Sequence, residues 1–528
     1  MNAAPRAINP WLVALAVVVP TFMEVLDTTI ANVALHHIAG GLSAAQSDSE
    51  WVITSYLAAN ALVLPLTGWI TAHLGRRRYF MLSITVFTIA SMLCGLSTNL
   101  NMLIACRVLQ GLAGGGLQPC SQGILLDTFP KEKQGAAQTF FGIAAVIAPV
   151  LGPTLGGWIT DQYSWRWIFY INLPVGILAW VLCSKWVWDP EYLVQEREEL
   201  SRQPLRFDFP GLSLLTLVIV AWEILLSKGQ EWDWFGDPFG RIQTLVVLFV
   251  VGLVSLIWWE GRTARPIVSF KPMHDRNFGA ASLIVFCAFA VLYGSSTLLP
   301  GMLETLLGYD ALHAGLVLSP AGFFTLLTVM VVGRLLGLGT DARWLIAFGL
   351  TLLACGSYWM SHLNLEIAPH QVIWPRVVLV IGLGFIFAPL NVAAYLYIPQ
   401  KMRGAAVGLF ALLRNEGGSF GTSLGQTLTQ RREQFHALRL NEGLDPFNPA
   451  LASFLDQSKA QMLKQTGDPA AATQMSLQAL AGMRDTQALA LAYFDCFLIF
   501  AVAGAVLAFF VLGMRRSVAE KGAHVGAE

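Results

Sequence analysis

The sequence predicts an all-α membrane protein: two related six-helix bundles with two further helices between them. Three observations predict it. The first is composition. Hydrophobic residues make up 55% of the 528 positions and charged residues only 12%, and mean hydropathy is +0.58. Soluble domains carry about 25% charged residues, so most of this chain belongs in lipid. The second is segmentation. At roughly 20 residues per crossing, the apolar runs divide into about fourteen spans. The third is an internal repeat, set out below.

Spans are expected near 11–35, 51–73, 79–97, 102–127, 136–160 and 165–188, then 209–228 and 241–260, then 277–303, 311–336, 343–362, 371–398, 405–428 and 488–513. The first opens like a signal peptide, with Arg6 ahead of an apolar run from Trp11. Glu24 and Asp27 interrupt that run and no small-residue cleavage site follows, so it reads as an uncleaved span. With the N-terminus placed inside, the inside segments collect most of the 33 Lys and Arg. Among these are Arg76 to Arg78, Lys131, Lys133, Arg202, Arg206, Arg265, Lys401 and Lys521. Short outside loops and span ends hold only Arg166, Lys228 and Arg241. The positive-inside rule then puts both termini in the cytoplasm and requires an even number of spans.

The repeat pairs Arg107-Val108 with Arg376-Val377 and Gly115 with Gly384. At the same offset Gly135-Ala136-Ala137 meets Gly404-Ala405-Ala406, Gly152 meets Gly421, and Gly156 meets Gly425. One register held across two spans and a loop indicates duplicated halves, an arrangement common in secondary transporters. It divides the chain into a bundle over 1–188, a linker with the two extra spans over 189–276, a second bundle over 277–513 and a tail over 514–528. The second bundle contains an outside segment, 429–487, which Pro446, Pro449 and Pro469 are expected to break into two short helices.

Several function classes are excluded. Net charge is zero, so there is no basic field for nucleic acid. The seven cysteines form no C-x-x-C pair and sit in apolar runs, as small core residues do. Gly114-Gly115-Gly116 lacks the Gly-Lys-Ser/Thr ending of a phosphate loop and falls inside a span, so ATP is not the expected energy source. No nucleophile elbow or metal-spaced His/Cys set points to an enzyme, and no cofactor is expected.

The candidate chemistry sits within the spans. Asp27 lies mid-span in Leu26-Asp27-Thr28-Thr29. A charged, unpartnered carboxylate there costs several kcal/mol, about 2.5–3.5 on insertion scales. It must therefore face a polar cavity, take a partner or hold its proton, and each option makes it a candidate proton carrier; the bland alternative is a structural hydrogen bond. Glu24, one helical turn earlier, shares its face. Arg107 in Cys106-Arg107-Val108-Leu109-Gln110-Gly111 cannot deprotonate and needs acceptors. It suits a carboxylate partner, or else a clamp on backbone carbonyls. In span five, Gly152-Pro153-Thr154-Leu155-Gly156-Gly157 combines a proline that frees a carbonyl with glycines that permit close crossing, which suits a rocking helix or plain packing. Gly68 to Gly75, with Arg76, Arg77 and Arg78, forms a tight cationic turn that serves topology and could latch the inside face. Glu223, Arg376, Arg414 and Glu416 are candidates for a substrate cavity, and the spacing of Arg414 and Glu416 suggests a local ion pair.

Together these stretches resemble the fourteen-span drug:proton antiporter branch of the major facilitator superfamily, the EmrB/QacA type. Leu26 to Leu35 is similar to its first-span signature, Gly68 to Arg78 to its loop motif, Arg107 to Gly111 to its fourth-span motif, and Gly152 to Gly157 to its antiporter motif. Trp165 to Pro174, Asp208 to Gly211 and Trp232 to Phe235 are also typical. Ala72 and His73 depart from the loop motif, where an acidic or polar residue and then a basic one are usual, and Glu416 stands where an apolar residue is common. Asp445 to Pro449 brings the chain nearest the EmrB-like side. The resemblance implies the major facilitator fold, a bacterial inner membrane, and proton-coupled export of amphiphilic small molecules. It also implies Asp27 and Arg107 as coupling elements, with a periplasmic adaptor and an outer-membrane channel as partners. A permease for a specific metabolite, lipid or siderophore would use the same fold.

Overall fold

The computed structural model describes residues 9–201, 208–263, 266–309, 311–366, 368–399, 402–445 and 447–518. Arg6, Arg202, Arg206, Arg265, Lys401, Lys521 and Pro446 lie outside the described residues, as does the end of the tail beyond 518. The side chain of Pro153 is likewise not described.

Every regular element among the described residues is a helix. The first half comprises α1 (Pro10–Gly41), α2 (Trp51–Leu74), α3 (Arg76–Gly95), α4 (Leu100–Thr128), α5 (Lys131–Gln162) and α6 (Trp167–Trp186). Next come α7 (Phe209–Lys228) and α8 (Arg241–Arg262). The second half comprises α9 (Arg276–Leu307), α10 (Ala311–Gly337), α11 (Ala342–Met360), α12 (Pro369–Tyr395), α13 (Arg403–Glu442) and α14 (Pro469–Val511). Eleven helices are long and apolar enough to cross a membrane; α5, α11 and α13 stand at the other three expected positions.

Local chemistry sets the ends. Asn9 caps α1 by accepting from Trp11 N, with Pro10 in the first turn, where its missing N–H costs nothing. Asp208 caps α7, and Asp275 caps α9 by accepting from Asn277 N and Phe278 N. Gly75, at φ +91°, joins α2 directly to α3, a turn that a side chain would strain. The run Gly114 to Gly116 interrupts α4 between Leu100–Gly114 and Leu117–Thr128, so the expected single span is two helical pieces.

The packing repeats across the halves. In the first, α1 packs on α5, α2 on α4, and α3 on α4 and α6. In the second, α9 packs on α13, α10 on α12, and α11 on α12 and α14. The halves meet along α5–α10 on one side and α2–α13 on the other. The inserted α7 packs against both α2 and α13, while α8 packs on α7 and exposes much of its apolar surface, as a lipid-facing helix does.

The segment 429–487 departs from its expected form. Both flanking helices run on into it, α13 to Glu442 and α14 from Pro469, with one separate helix, Pro449–Thr466, packed on α14. Pro449 and Pro469 open helices rather than break them, since each occupies a first turn. Arg432 and His436 on α13 hold Asp495 on α14 at 2.6 and 2.7 Å, tying the two extensions together at their base.

Candidate functional site

Close helix crossings make the first part of the site. A Cβ on Gly111 would lie 2.4 Å from Tyr56 O, and one on Gly115 would lie 2.4 Å from Asn60 O. Only glycine lets α4 approach α2 this far. The approach sets the Arg107 guanidinium over the Tyr56 ring at 4.0 Å and leaves Arg107 fully buried. Arg107 Nη1 donates to Asp27 Oδ2 at 2.5 Å and to Gln110 Oε1 at 2.9 Å, and Nε donates to Val52 O at 3.1 Å. The other oxygen of Asp27, Oδ1, accepts from Asn172 Nδ2 at 2.6 Å and Gln110 Nε2 at 3.0 Å. Four helices, α1, α2, α4 and α6, thus converge on one ion pair, with Asp27 2% exposed. Every hydrogen bond to the carboxylate comes from a donor on another helix.

Two residues beyond Asp27, α1 crosses α5. A Cβ on Gly152 would fall 2.1 Å from Thr29 Oγ1, and one on Gly156 would fall 3.2 Å from Ile30 O. Gly157 is buried in the same stretch, and its carbonyl accepts from Thr160 at 3.0 Å.

Glu24 lies one turn before Asp27 on the wall of a central cavity of about 150 Å³ between the halves. Its carboxylate accepts from Asn60 Nδ2 at 2.9 Å and from the Gln118 amide, and the Gln118 carbonyl accepts from Arg414 on α13. Gln118 therefore bridges a carboxylate of the first half to a guanidinium of the second. The inserted α7 supplies part of the wall. Thr54 and Ser227 hydroxyls meet at 2.6 Å, Ser423 donates to Leu226 O at 2.6 Å, and Ser419 donates to Glu223 Oε1 at 3.0 Å.

Three candidates sit differently from their expected places. Arg414 and Glu416 make no pair: two residues apart on a helix, they point to different sides. Glu416 instead lies beside Glu223, behind the cavity lining. Arg376 is 2% exposed and lines no part of the cavity; it donates to Ser295 and Ser296 of α9 at 2.7 and 2.8 Å. At the far end of α2, Gly68 faces Gly404 at the seam of the halves. Arg76 pairs with Asp127 at 2.5 Å and donates to Tyr192 at 3.2 Å, while Arg77 N donates to Asp189 at 2.7 Å. The cationic turn is therefore stitched to the end of α4 and to the linker.

A duplicated bundle with an ion pair and a cavity at its centre is the plan of a secondary transporter, and known proteins agree. The sequence profile of the Major Facilitator Superfamily matches residues 18–422. The chain belongs to the major facilitator superfamily. It is 37% identical to the probable multidrug resistance protein EmrY of Escherichia coli, over 84% of this chain and 85% of that one. It is 38% identical to the multidrug export protein EmrB of Haemophilus influenzae, over 86% and 87% of the two chains. It is also 38% identical to the fatty acid resistance protein FarB of Neisseria gonorrhoeae, over 83% and 84%. Among solved structures the proton:xylose symporter XylE aligns over 95% of both chains with a TM-score of 0.60 at 13% identity, a likeness of fold. The chain is thus a multi-pass membrane transporter of the EmrB type, not an enzyme.

Reading residue types within spans singled out the charged members of these two clusters and missed their amides. Asn172, Gln110, Asn60 and Gln118 supply most of the neutral hydrogen bonds around Asp27 and Glu24. A signal was present: amides are costly in lipid unless they find partners, and Gln110 lies one helical turn from Arg107 on the same face.

Proposed function

We infer that this transporter exports amphiphilic small molecules across a bacterial inner membrane in exchange for protons, with Asp27 as the proton carrier and Arg107 as its counter-charge. Its EmrB relative is named for multidrug export and EmrY for multidrug resistance, and identity of 37–38% over most of both chains supports multidrug efflux as the activity of this transporter. The observation that carries the coupling reading is the buried Arg107–Asp27 pair, the one buried carboxylate–guanidinium contact among the described ion pairs with both side chains sealed from solvent.

The chemistry follows from that pair. Charged Asp27 holds α1, α4 and α6 together through donors. A proton on Asp27 removes the attraction to Arg107 and turns one carboxylate oxygen into a donor facing other donors. The pair loosens, and the disturbance reaches the α1–α5 crossing at Thr29 and Gly152, two residues away. Helix α5 packs along α10 of the other half, so a shift there moves one half against the other, as alternating access requires. Arg76 with Asp127 and Tyr192 would latch the cytoplasmic face, which in this reading carries both termini. The helical extension over 429–487 would stand in the periplasm and receive an adaptor that leads to an outer-membrane channel.

Proteoliposomes loaded with a fluorescent amphiphile and subjected to an imposed pH gradient test the reading. Wild-type protein is expected to move the dye only with the gradient, and Asp27→Asn to abolish that movement while still folding. Gradient-driven transport that survives in Asp27→Asn would move the proton to another carboxylate.

A further inference from the structure

The wall of the central cavity carries charges of two kinds. Glu24, Glu50 and Glu223 are carboxylates, and Arg414 is the one cationic side chain among the described lining residues. A carboxylate within a membrane can shed its charge by taking a proton, but a guanidinium cannot. Arg414 therefore contributes the cavity's one permanent charge.

Its hydrogen-bond partners leave that charge without a carboxylate in direct contact. Arg414 is 4% exposed. Nη2 donates to the neutral carbonyl of Gln118, and Nη1 is buried without a hydrogen-bond partner among the described residues. Glu24 makes no direct hydrogen bond to it: Gln118 lies between the two, and they attract only through space. The rings of Phe289 and Phe387, 5.7 and 6.0 Å from Cζ, favour a cation but accept no N–H in the plane of the fork. The other two buried arginines differ. Arg107 is neutralised by Asp27, and Arg376 donates to serines of its own half, away from the cavity. Arg414 alone combines a permanent charge, a free donor and a place on the cavity wall.

We propose that Arg414 anchors the anionic head of an amphiphilic acid, a carboxylate or an acidic phenol, whose apolar body lies against Leu57, Leu64, Phe289 and Tyr293 of the cavity lining. This rests on the export reading and names the substrate class of that same cavity. A guanidinium offers a planar fork matched to a carboxylate. The bound acid satisfies Nη1 and sets an anion against a guanidinium that no carboxylate touches directly.

Binding to purified protein in lipid nanodiscs at pH 8 tests this without transport. The probes are dodecanoate, which is ionised at that pH, its uncharged methyl ester and dodecyltrimethylammonium. The acid is expected to bind wild-type protein at least about tenfold more tightly than the ester, the scale of one charge-assisted hydrogen bond. Arg414→Gln should erase the difference, and Arg414→Lys, which keeps the charge and loses the fork, should retain part of it. Equal binding of acid and ester to wild-type protein would overturn the proposal, and that comparison needs no variant to fold. So would an acid preference unchanged in Arg414→Gln, or tightest binding of the ammonium, which would assign the cavity to cations through Glu223. Gradient-driven dye efflux measured alongside separates the two readings. An intact acid preference without efflux sinks the export reading and leaves this one standing; efflux without an acid preference does the reverse.

Discussion

Arg107 and Arg376 occupy matching places in the two halves, and their surroundings are opposite in kind. Both are buried, at 0% and 2% exposed, on helices that pack alike. Arg107 faces a carboxylate at 2.5 Å, supported by Gln110 and Asn172. Arg376 faces two serine hydroxyls and no carboxylate, while each guanidinium keeps one nitrogen without a hydrogen-bond partner among the described residues. The same scaffold thus holds one guanidinium against a group that can gain a proton and the other against groups that cannot. Duplication set out two equivalent positions, and only the first half turned its own into a pair whose strength changes with a proton. If coupling rests on this pair, it is a property of one half, transmitted to the other through α5 and α10.

Replacing each arginine by methionine gives the largest expected contrast. Arg107→Met leaves Asp27 buried with only amide donors, and removing one partner of a buried pair costs about 3–5 kcal/mol. Thermal unfolding in nanodiscs should fall by many degrees, and export should stop. Arg376→Met removes a charge that has no counter-charge among the described residues, so its cost is expected within about 1 kcal/mol. Equal losses in the two variants would break the comparison, because Arg376 would then need a charged partner that the serines do not provide. A step down in size, Asn172→Ala takes one donor from the Asp27 carboxylate and its contact from Ser91, a cost of about 1.5–3 kcal/mol for a hydrogen bond to a charged group. Asn172→Asp should be worse than Asn172→Ala if Asp27 is charged, since it sets a second carboxylate against the first; the opposite ranking would show Asp27 already protonated.

How much of this could be read from the chain differs between fold and site. Helix positions followed from apolar runs and charge bias because lipid enforces both: each span must be apolar, and each basic turn must stay out of the core. Duplication was legible where close packing demands glycine, as at Gly152 and Gly421. The need for partners was legible too, because a mid-span Asp and a mid-span Arg each require one, but that Asp27 and Arg107 take each other follows only from the packing. Three features were not. The break in α4 at Gly114 to Gly116 depends on how tightly α2 presses there, which no local pattern encodes. The continuation of α13 and α14 into 429–487 was hidden by reading Pro449 and Pro469 as breakers when each opens a helix. The place of α7 in the cavity wall was hidden because an inserted helix has no repeat mate to align with. Only packing shows that Glu223 meets Ser419 and Glu416 rather than lipid.

The glycine crossings sharpen the same comparison at smaller scale. Gly421 and Gly152 are repeat mates, each at the point where the fifth helix of its half crosses the first. A Cβ on Gly421 would lie 2.0 Å from Ala290 O, a backbone atom that cannot move without α9. On Gly152 the obstacles are the Thr29 hydroxyl at 2.1 Å and Thr29 Cβ at 2.6 Å; the hydroxyl can rotate away at the cost of its bonds to Leu26 O and Val25 O at 3.0 and 3.3 Å, but the Cβ moves only with α1. Gly421→Ala should therefore destabilise more, at the upper end of the about 1–3 kcal/mol typical of overpacking, and Gly152→Ala less, within the same range. Gly425→Ala meets only the flexible end of Leu298, at 3.1 Å, and is expected within about 0.5 kcal/mol of wild type, as for substitutions away from strain. Transport should rank differently if α1–α5 is the crossing that moves. Gly152→Ala would then slow gradient-driven efflux more than Gly421→Ala despite its milder effect on unfolding. Efflux rates that simply followed stability across the three variants would mean that the two crossings are equivalent in the transport cycle, and that the asymmetry between the halves ends at the ion pair.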